Sequence, residues 1–505
     1  MGSQPYSTSI DNDGRLEKGN LQNIANGSVR ELDLTVQTEK PFTTLSAIGI
    51  GYGVTNTAVG LLLVLGSVLP MGGPPLLFWS FLAMSGVGLA TAVTLAELCS
   101  AMPHPGGQYI WVNHLAPAQS RRFLSYLTAM ISWLGAVSTG ASACLSVATG
   151  FCAIITVLDP TFVYKRWMGF VGYQILNILT VLAACFEHAL PKIANILLLF
   201  GCLTITTVFI TLFSMSDTHM SAENFFVNII NVSGWPDGVA FLIGCNGANW
   251  CFSCLDVATH LAEEIPSPGK NIPKSLMWTI AIGFGSGLLV VLAVLLNIDG
   301  IDTDGDNSAL GLFYRITGSQ AAAIGLWIPV LITTAGAVWS IQTWQSRLAW
   351  AISREKGFPL HKHLSKLAPA PFYTCTWSLA FSATFTAILG CLYLASDLAF
   401  NSLISTGILL QYLSYCIPVV LVLVNGRSRF RHGSFWYPKL GLLANVVMLL
   451  WTSIALAFYC FPYYLPVVVE QMNYASPVLA GVAVLAITLW FVYARSKYEV
   501  NSVTL

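Results

Sequence analysis

Charge is what this chain has least of. Asp, Glu, Lys and Arg make up 9% of its 505 residues, against about 25% in an ordinary soluble domain. So little charge cannot coat a soluble surface of this size, and 55% of the residues are hydrophobic; lipid is expected to cover much of the exterior. Formal net charge is zero, which removes the electrostatic case for nucleic-acid binding. No Walker-type phosphate loop is present: Gly269-Lys270 is followed by Asn271 and lacks the upstream glycine. ATP hydrolysis is therefore not expected. The cysteines are scattered through apolar stretches, and the one Cys-x-x-Cys, Cys251 and Cys254, has no second pair or His ligands at zinc spacing. They read as small packing residues, with no disulfide framework, metal or cofactor. No nucleophile, base and orienting group stand together, so the chain does not read as an enzyme. Residues 1–40 lack the apolar core of a signal peptide and read as a disordered cytoplasmic tail.

Long apolar runs are abundant. A spanning helix needs about 20 mostly apolar residues, and candidates fall at roughly 43–67, 75–101, 123–157, 168–186, 191–214, 237–261, 275–298, 319–350, 375–395, 398–424, 438–460 and 474–494. About twelve transmembrane helices are expected. The third and eighth are long enough to tilt or to extend beyond the bilayer. With the N-terminus inside, Lys165, Arg166 and Arg315 are the outside cations, and the other twenty of the 23 Lys and Arg lie inside. That asymmetry obeys the positive-inside rule and places both termini in the cytoplasm. The acidic loop from Asp299 to Ser308 then lies outside; it lacks the terminal Glu and the central Gly of a calcium loop and reads as a solvated turn. A glycosylation sequon, Asn231-Val232-Ser233, also faces outside.

Two spans carry residues that fit lipid poorly. The first contains GIGYGVTNT, from Gly49 to Thr57, and the sixth contains GCNGANWCFSCLD, from Gly244 to Asp256. Glycine lets a chain leave helical geometry at low steric cost. Non-helical backbone survives at membrane depth only inside protein or beside a water-filled cavity. The two stretches are five spans apart, the spacing at which inverted-repeat transporters place broken helices around a midplane site. Helices 1 and 6 are therefore expected to be discontinuous, although glycines in spans also serve close helix packing alone.

The connecting segments resemble a known family. TLAELCSAMPHPGGQYIWVNHLAPAQSRRFLSY (Thr94 to Tyr126), CLDVATHLAEEIPSPGKNIPKSL (Cys254 to Leu276), QSRLAWAISREKGFPLHKHLSKL (Gln345 to Leu367) and NTAVGLLLVLGSVLPMGGP (Asn56 to Pro74) resemble the fungal amino acid/choline transporter family of the amino acid-polyamine-organocation superfamily. The likeness covers roughly residues 41 to 500. It implies an all-α leucine-transporter-type fold: a ten-helix inverted-repeat core over 41–424, two trailing helices over 425–494 and a cytoplasmic tail over 495–505. It implies import, by alternating access and with proton coupling, of an amino acid, 4-aminobutyrate or a choline-like amine at the fungal plasma membrane. A non-transporting nutrient sensor of the same fold is the alternative.

In that fold the unwound first span contributes backbone to the substrate. The matching positions are Gly49, Ile50, Gly51, Tyr52 and Gly53, with amides at Gly51 to Gly53 for a carboxylate. Carbonyls near Gly244 to Gly247 suit an amine, and Asn246 and Asn249 add side-chain bonds. Trp250, Phe252, Tyr52 and Trp133 are candidate aromatic walls, the usual answer to a quaternary ammonium that has no N–H to donate. Each aromatic is equally a packing residue. Asp256, a carboxylate within a span, is a functional candidate by its cost alone, for orientation, gating or proton exchange. Glu97 is expected to pair with Arg121, Arg122 or Arg347 in an inner gate. Some relatives use a Lys within the fifth span for proton coupling; here only Lys192, at its inner end, is available. Thr333, Thr334 and Ser340 in the eighth span are candidates for a cation site.

Overall fold

The computed structural model describes residues 43–500, apart from 160, 187–189, 216–220, 299–307, 370–371, 373, 397, 430 and 470–471. The segment expected to form the N-terminal tail, the C-terminal five residues and most of the acidic loop from Asp299 to Ser308 lie outside the described residues.

Apolar runs become helices because a backbone in lipid must satisfy its own polar groups. Eleven helical segments among the described residues are long and apolar enough to cross a bilayer. The first, Thr44–Ala101, has 58 residues, about 87 Å if straight, and cannot be one span. Its backbone turns at Gly73 (φ 68, ψ −158), between Pro70 and the Pro74-Pro75 pair. Split there, the segment holds spans 1 and 2, and the total of twelve follows.

Span 1 begins with α1 (Thr44–Thr55), capped by Thr43, whose side chain accepts from the Ser46 amide. It continues in α2 (Thr57–Ala101), which also forms span 2. A short α3 (Gln108–Leu115) links to α4 (Arg121–Leu158), span 3. Helices α5 (Arg166–Ala184) and α6 (Leu190–Ser214) are spans 4 and 5. Span 6 is α7 (Asp237–Trp250), four non-helical residues, and a 3₁₀ segment over Leu255–Leu261. Span 7 is α8 (Pro268–Leu295), and α9 (Ala309–Thr317) leads into α10 (Gln320–Arg354), span 8. Spans 9 to 12 are α11 (Thr376–Leu389), α12 (Ala399–Asn425), α13 (Pro438–Phe458) and α14 (Ala475–Leu489). The long third and eighth spans have 38 and 35 residues, about 50 Å or more each, well beyond a hydrocarbon core of about 30 Å.

Both expected discontinuities are present, but the glycines do not make them. Gly49, Gly51 and Gly53 lie inside α1. The break follows at Asn56 (φ 39, ψ 47), a left-handed residue between two helices. Gly244 and Gly247 lie inside α7; that span breaks over 251–254, where Cys254 is left-handed (φ 63, ψ 28). The glycines thin the helices instead. A methyl at Gly49 would sit 2.9 Å from the Ala194 carbonyl oxygen on α6, and one at Gly51 2.8 Å from Thr279 Oγ1 on α8. At Gly247 it would meet Val68 at 2.5 Å, and at Gly244 it would strike Leu76. Close helix approach therefore accounts for these glycines. Asn is the non-glycine residue that best tolerates the left-handed region.

One end of the bundle gathers the basic side chains in ion pairs. Arg347 meets Glu264 (3.1 Å), Arg354 meets Glu263 (2.9 Å) and Arg427 meets Glu97 (2.9 Å). We call this the basic end. The sequon side chain is engaged: Asn231 Nδ2 donates to the Trp235 carbonyl (2.7 Å) and to Asp237 (3.0 Å).

Candidate binding site at two helix breaks

The two breaks touch. Thr57 Oγ1 donates to the Cys251 carbonyl at 2.9 Å, and a methyl at Gly60 would lie 2.9 Å from Cys251 Sγ. Beside this contact is a small cavity of ≈ 20 Å³, room for about one water. Val54, Thr55 and Asn56 close one wall, Trp250, Ser253 and Cys254 a second. Thr139 on α4 and Thr334 on α10 supply hydroxyls. Among the described residues, no lining side chain carries a formal charge.

Breaking a helix leaves amides at one new end and carbonyls at the other without intrahelical partners. Helices α1 and α7 both end at the cavity, so two carbonyl termini with negative dipole character converge there. The N-terminus of α2 adds amides: its first ladder bond among the turn residues runs from the Gly60 amide to the Asn56 carbonyl (2.8 Å). Asn56 itself is 5% exposed, and its Nδ2 has no hydrogen-bond partner among the described residues. A buried donor without a partner costs about 1–3 kcal/mol. It is the group at this cavity most in need of an acceptor.

Gln411 on α12 ties the cavity together. Its Oε1 accepts from the Cys254 amide (2.8 Å), which holds that left-handed residue in place, and its Nε2 donates to Thr139 Oγ1 (2.8 Å). Thr333, Thr334 and Ser340 each donate to a carbonyl four residues earlier on α10, and of the three Thr334 lines the cavity.

Of the residues singled out from the sequence, Trp250 and Thr334 line the cavity. Gly49, Ile50, Gly51, Tyr52 and Gly53 are helical, so the amides of Gly51 to Gly53 are not those of an unwound segment. Tyr52 points to α8, its hydroxyl 2.9 Å from Ser286 Oγ. Trp133 sits elsewhere: its Nε1 donates to Ser382 (3.0 Å), and its ring packs on Phe358, Phe381 and Phe385. Phe252 packs on Phe81. Gly244, Asn246 and Gly247 border a second small cavity with Asn401 and Tyr463, where Asn246 Nδ2 donates to Tyr463 (2.6 Å) and Ser405 (2.9 Å). Asn249 donates to Tyr459 (3.0 Å) and accepts from Tyr412 (2.9 Å). Thr334 is a sequence-derived candidate for a cation site; Asn56, Thr139 and Ser253 are lining residues that the sequence did not single out, and of these Asn56 carries a legible signal. It is the one amide side chain between the two threonines that follow the glycines.

Glu97 is buried at 3% exposure and pairs with neither Arg121, Arg122 nor Arg347. It holds Arg427, just past α12, and accepts from the Tyr437 amide (3.0 Å). Arg427 also stacks over Trp436, 4.3 Å from the ring centre. The expected partners are taken: Arg347 by Glu264, Arg122 by the Tyr498 carbonyl (2.6 Å) and Arg121 by the Ala116 carbonyl (3.5 Å). Asp256 is fully buried just below the cavity and accepts from Gln108 Nε2 (2.6 Å) and the Tyr415 hydroxyl (2.6 Å).

In the turn after span 2, burial together with Arg354 and neighbouring histidines pushes His104 down to about 4. Its Nδ1 accepts from the Gly106 amide (2.9 Å), which requires that nitrogen to be unprotonated.

Comparison with known proteins agrees with this architecture. The family model for amino acid permease matches residues 42–485. The chain is 64% identical over 475 residues to "Transmembrane transporter swnT" of Metarhizium robertsii, covering 94% of this chain and 95% of that protein. It is 63% identical over 496 residues to "Swainsonine transporter swnT" of Arthroderma benhamiae, covering 97% and 99%. To "Choline transporter" of Saccharomyces cerevisiae it is 34% identical over 480 residues, covering 92% and 84%. Its twelve crossings and permease sequence make it an integral multi-pass transporter of small organic solutes, not an enzyme, and the chain belongs to the amino acid permease family.

Proposed function

We propose that this protein imports a small hydroxylated amine across the fungal plasma membrane by alternating access, coupled to protons, with both termini in the cytoplasm. Swainsonine, a small polyhydroxylated bicyclic amine, is the leading solute, and choline is the next. The observation that carries this reading is the unpartnered Asn56 amide at a cavity lined by hydroxyls and bounded by Trp250. An amine centre suits the carbonyl ends of α1 and α7 and the indole face. Solute hydroxyls suit Asn56 Nδ2, Thr139, Ser253 and Thr334. Identity of 63% to a protein named for swainsonine, against 34% to one named for choline, supports the same order.

The test is uptake of labelled swainsonine, choline and 4-aminobutyrate into transporter-deficient cells, with and without a proton uncoupler and with sodium replaced. The reading expects swainsonine uptake that the uncoupler abolishes and sodium replacement spares. Uptake of 4-aminobutyrate alone, or uptake that persists with the uncoupler, would contradict it.

A further inference from the structure

Below the cavity, toward the basic end, two buried titratable side chains share one hydrogen bond. His260 Nε2 lies 3.1 Å from Asp256 Oδ2, and His260 Nδ1 lies 2.7 Å from the Pro105 carbonyl oxygen. Both residues are at most 1% exposed. A carbonyl can only accept, so Nδ1 carries a hydrogen. With Nδ1 protonated, neutral His260 would turn the lone pair of Nε2 toward the carboxylate. A 3.1 Å approach of two acceptors is repulsive, so a further proton lies between them. The pair is either imidazolium and carboxylate or imidazole and carboxylic acid, and in both forms it holds one exchangeable proton.

We propose that the Asp256–His260 pair is the proton-binding site of the transport cycle; this rests on the proton-coupled reading above. The bound proton bridges Nε2 and Oδ2. Its release to water leaves a neutral imidazole facing an anionic carboxylate, and the two move apart. That weakens the contact between the 3₁₀ half of span 6 and the turn over 103–107. The turn is fitted to the ring: Gly107 is left-handed (φ 51), and a methyl there would lie 3.1 Å from His260 Cε1. Gln108 Oε1, next to the pair, is buried with no partner among the described residues, an acceptor for the water that carries the proton away.

The link to the solute runs along α12. Gln411 grips the cavity wall through Cys254 and Thr139, and Tyr415, one turn on, donates to Asp256. A shift of Cys254 on solute binding therefore moves both ends of the carboxylate network. The other ionisable groups facing the pair are Cys99 on span 2, His104 in the turn, Cys254 beside the cavity and Tyr415 on α12. Trp344 on α10 packs its ring 6.3 Å from that of His260. None of these places a cation or a second carboxylate in hydrogen-bond contact with the pair, which leaves the shared proton as its charge balance.

The experiment uses full-length protein in liposomes with labelled swainsonine and choline, measuring uphill accumulation under an inward proton gradient and solute exchange without one. His260→Gln keeps a donor toward Asp256 without a titrating nitrogen, and Asp256→Asn removes the charge. Both are expected to lose uphill accumulation, leaving only equilibration, while exchange persists. Uphill accumulation retained in both would overturn the assignment while leaving proton coupling intact. A wild-type protein that accumulates neither solute uphill would overturn both. Tyr415→Phe covers the case of poor folding in the first two: loss of one donor to the carboxylate favours its protonated form, so the pH midpoint of uptake should move upward. An unmoved midpoint counts against the site.

Discussion

Thr57 Oγ1 donates to the Cys251 carbonyl at 2.9 Å, and this bond joins the interrupted halves of two helices almost 200 residues apart in sequence. It satisfies a carbonyl that the end of α7 would otherwise leave buried and bare. Thr57→Val keeps the shape and removes the donor, at a cost of about 1–3 kcal/mol. Thr57→Ser restores it. The expected outcome is lower transport in Thr57→Val with recovery in Thr57→Ser, read as initial uptake rate normalised to surface protein.

Asn56 does two things that substitution can separate. Asn56→Gly keeps the left-handed backbone and removes the amide; Asn56→Ala removes both, with a backbone cost of about 1–2 kcal/mol. The account predicts that Asn56→Gly raises KM for solute by about twofold to tenfold, the worth of one hydrogen bond, at normal abundance. Asn56→Ala should lower thermal stability as well. Equal KM in wild type and Asn56→Gly would remove Asn56 from the site.

The glycines of α1 should behave as packing residues. Gly49→Ala brings a methyl against the Ala194 carbonyl, which cannot move aside, whereas at Gly53 the nearest atom is the Ser340 hydroxyl at 3.3 Å. Gly49→Ala is therefore expected to reduce Tm and surface abundance, and Gly53→Ala to do so less. Gly51→Leu should deplete the protein from the membrane, because its side chain meets Thr279. Quantitative surface labelling separates these outcomes.

His104 provides a control for acid behaviour. Its folded-state value of about 4 lies below the unfolded value of about 6.5. The stability tied to its neutral form is therefore complete above pH 6.5 and is lost as pH falls toward 4. His104→Asn keeps an acceptor for the Gly106 amide and should shrink the drop in Tm between pH 7 and pH 4.5. It should leave the pH profile of uptake between 5.5 and 7.5 unchanged, since His104 is neutral throughout that range.

Hydropathy made the twelve crossings legible because lipid permits few alternatives to a long apolar helix. The two interruptions were legible as a pair, from polar residues at matched places in spans 1 and 6. Their positions were not, because glycine serves two purposes in a membrane helix. Sequence cannot tell a glycine that frees the backbone from one that lets Ala194 or Leu76 approach, and here the second holds. The breaks fall on Asn56 and Cys254, and the left-handed backbone of Cys254 is held by Gln411, 157 residues away. The same limit applied to Glu97: any of several arginines fitted by topology, and only packing of the segment after α12 brings Arg427 and Trp436 to it. Trp133 and Phe252 looked like cage aromatics and pack into side-chain clusters, since an aromatic on a helix carries no mark of which neighbour it faces.

The solute is expected to sit where the two broken helices meet, against Asn56 and Trp250. An experimental structure of the protein with swainsonine bound tests it most directly. The account predicts solute density between the Asn56 amide and the Trp250 ring, within hydrogen-bond distance of Nδ2. Density in the cavity around Asn246 and Tyr463, or anywhere outside the meeting point of residues 54–60 and 250–254, would contradict it.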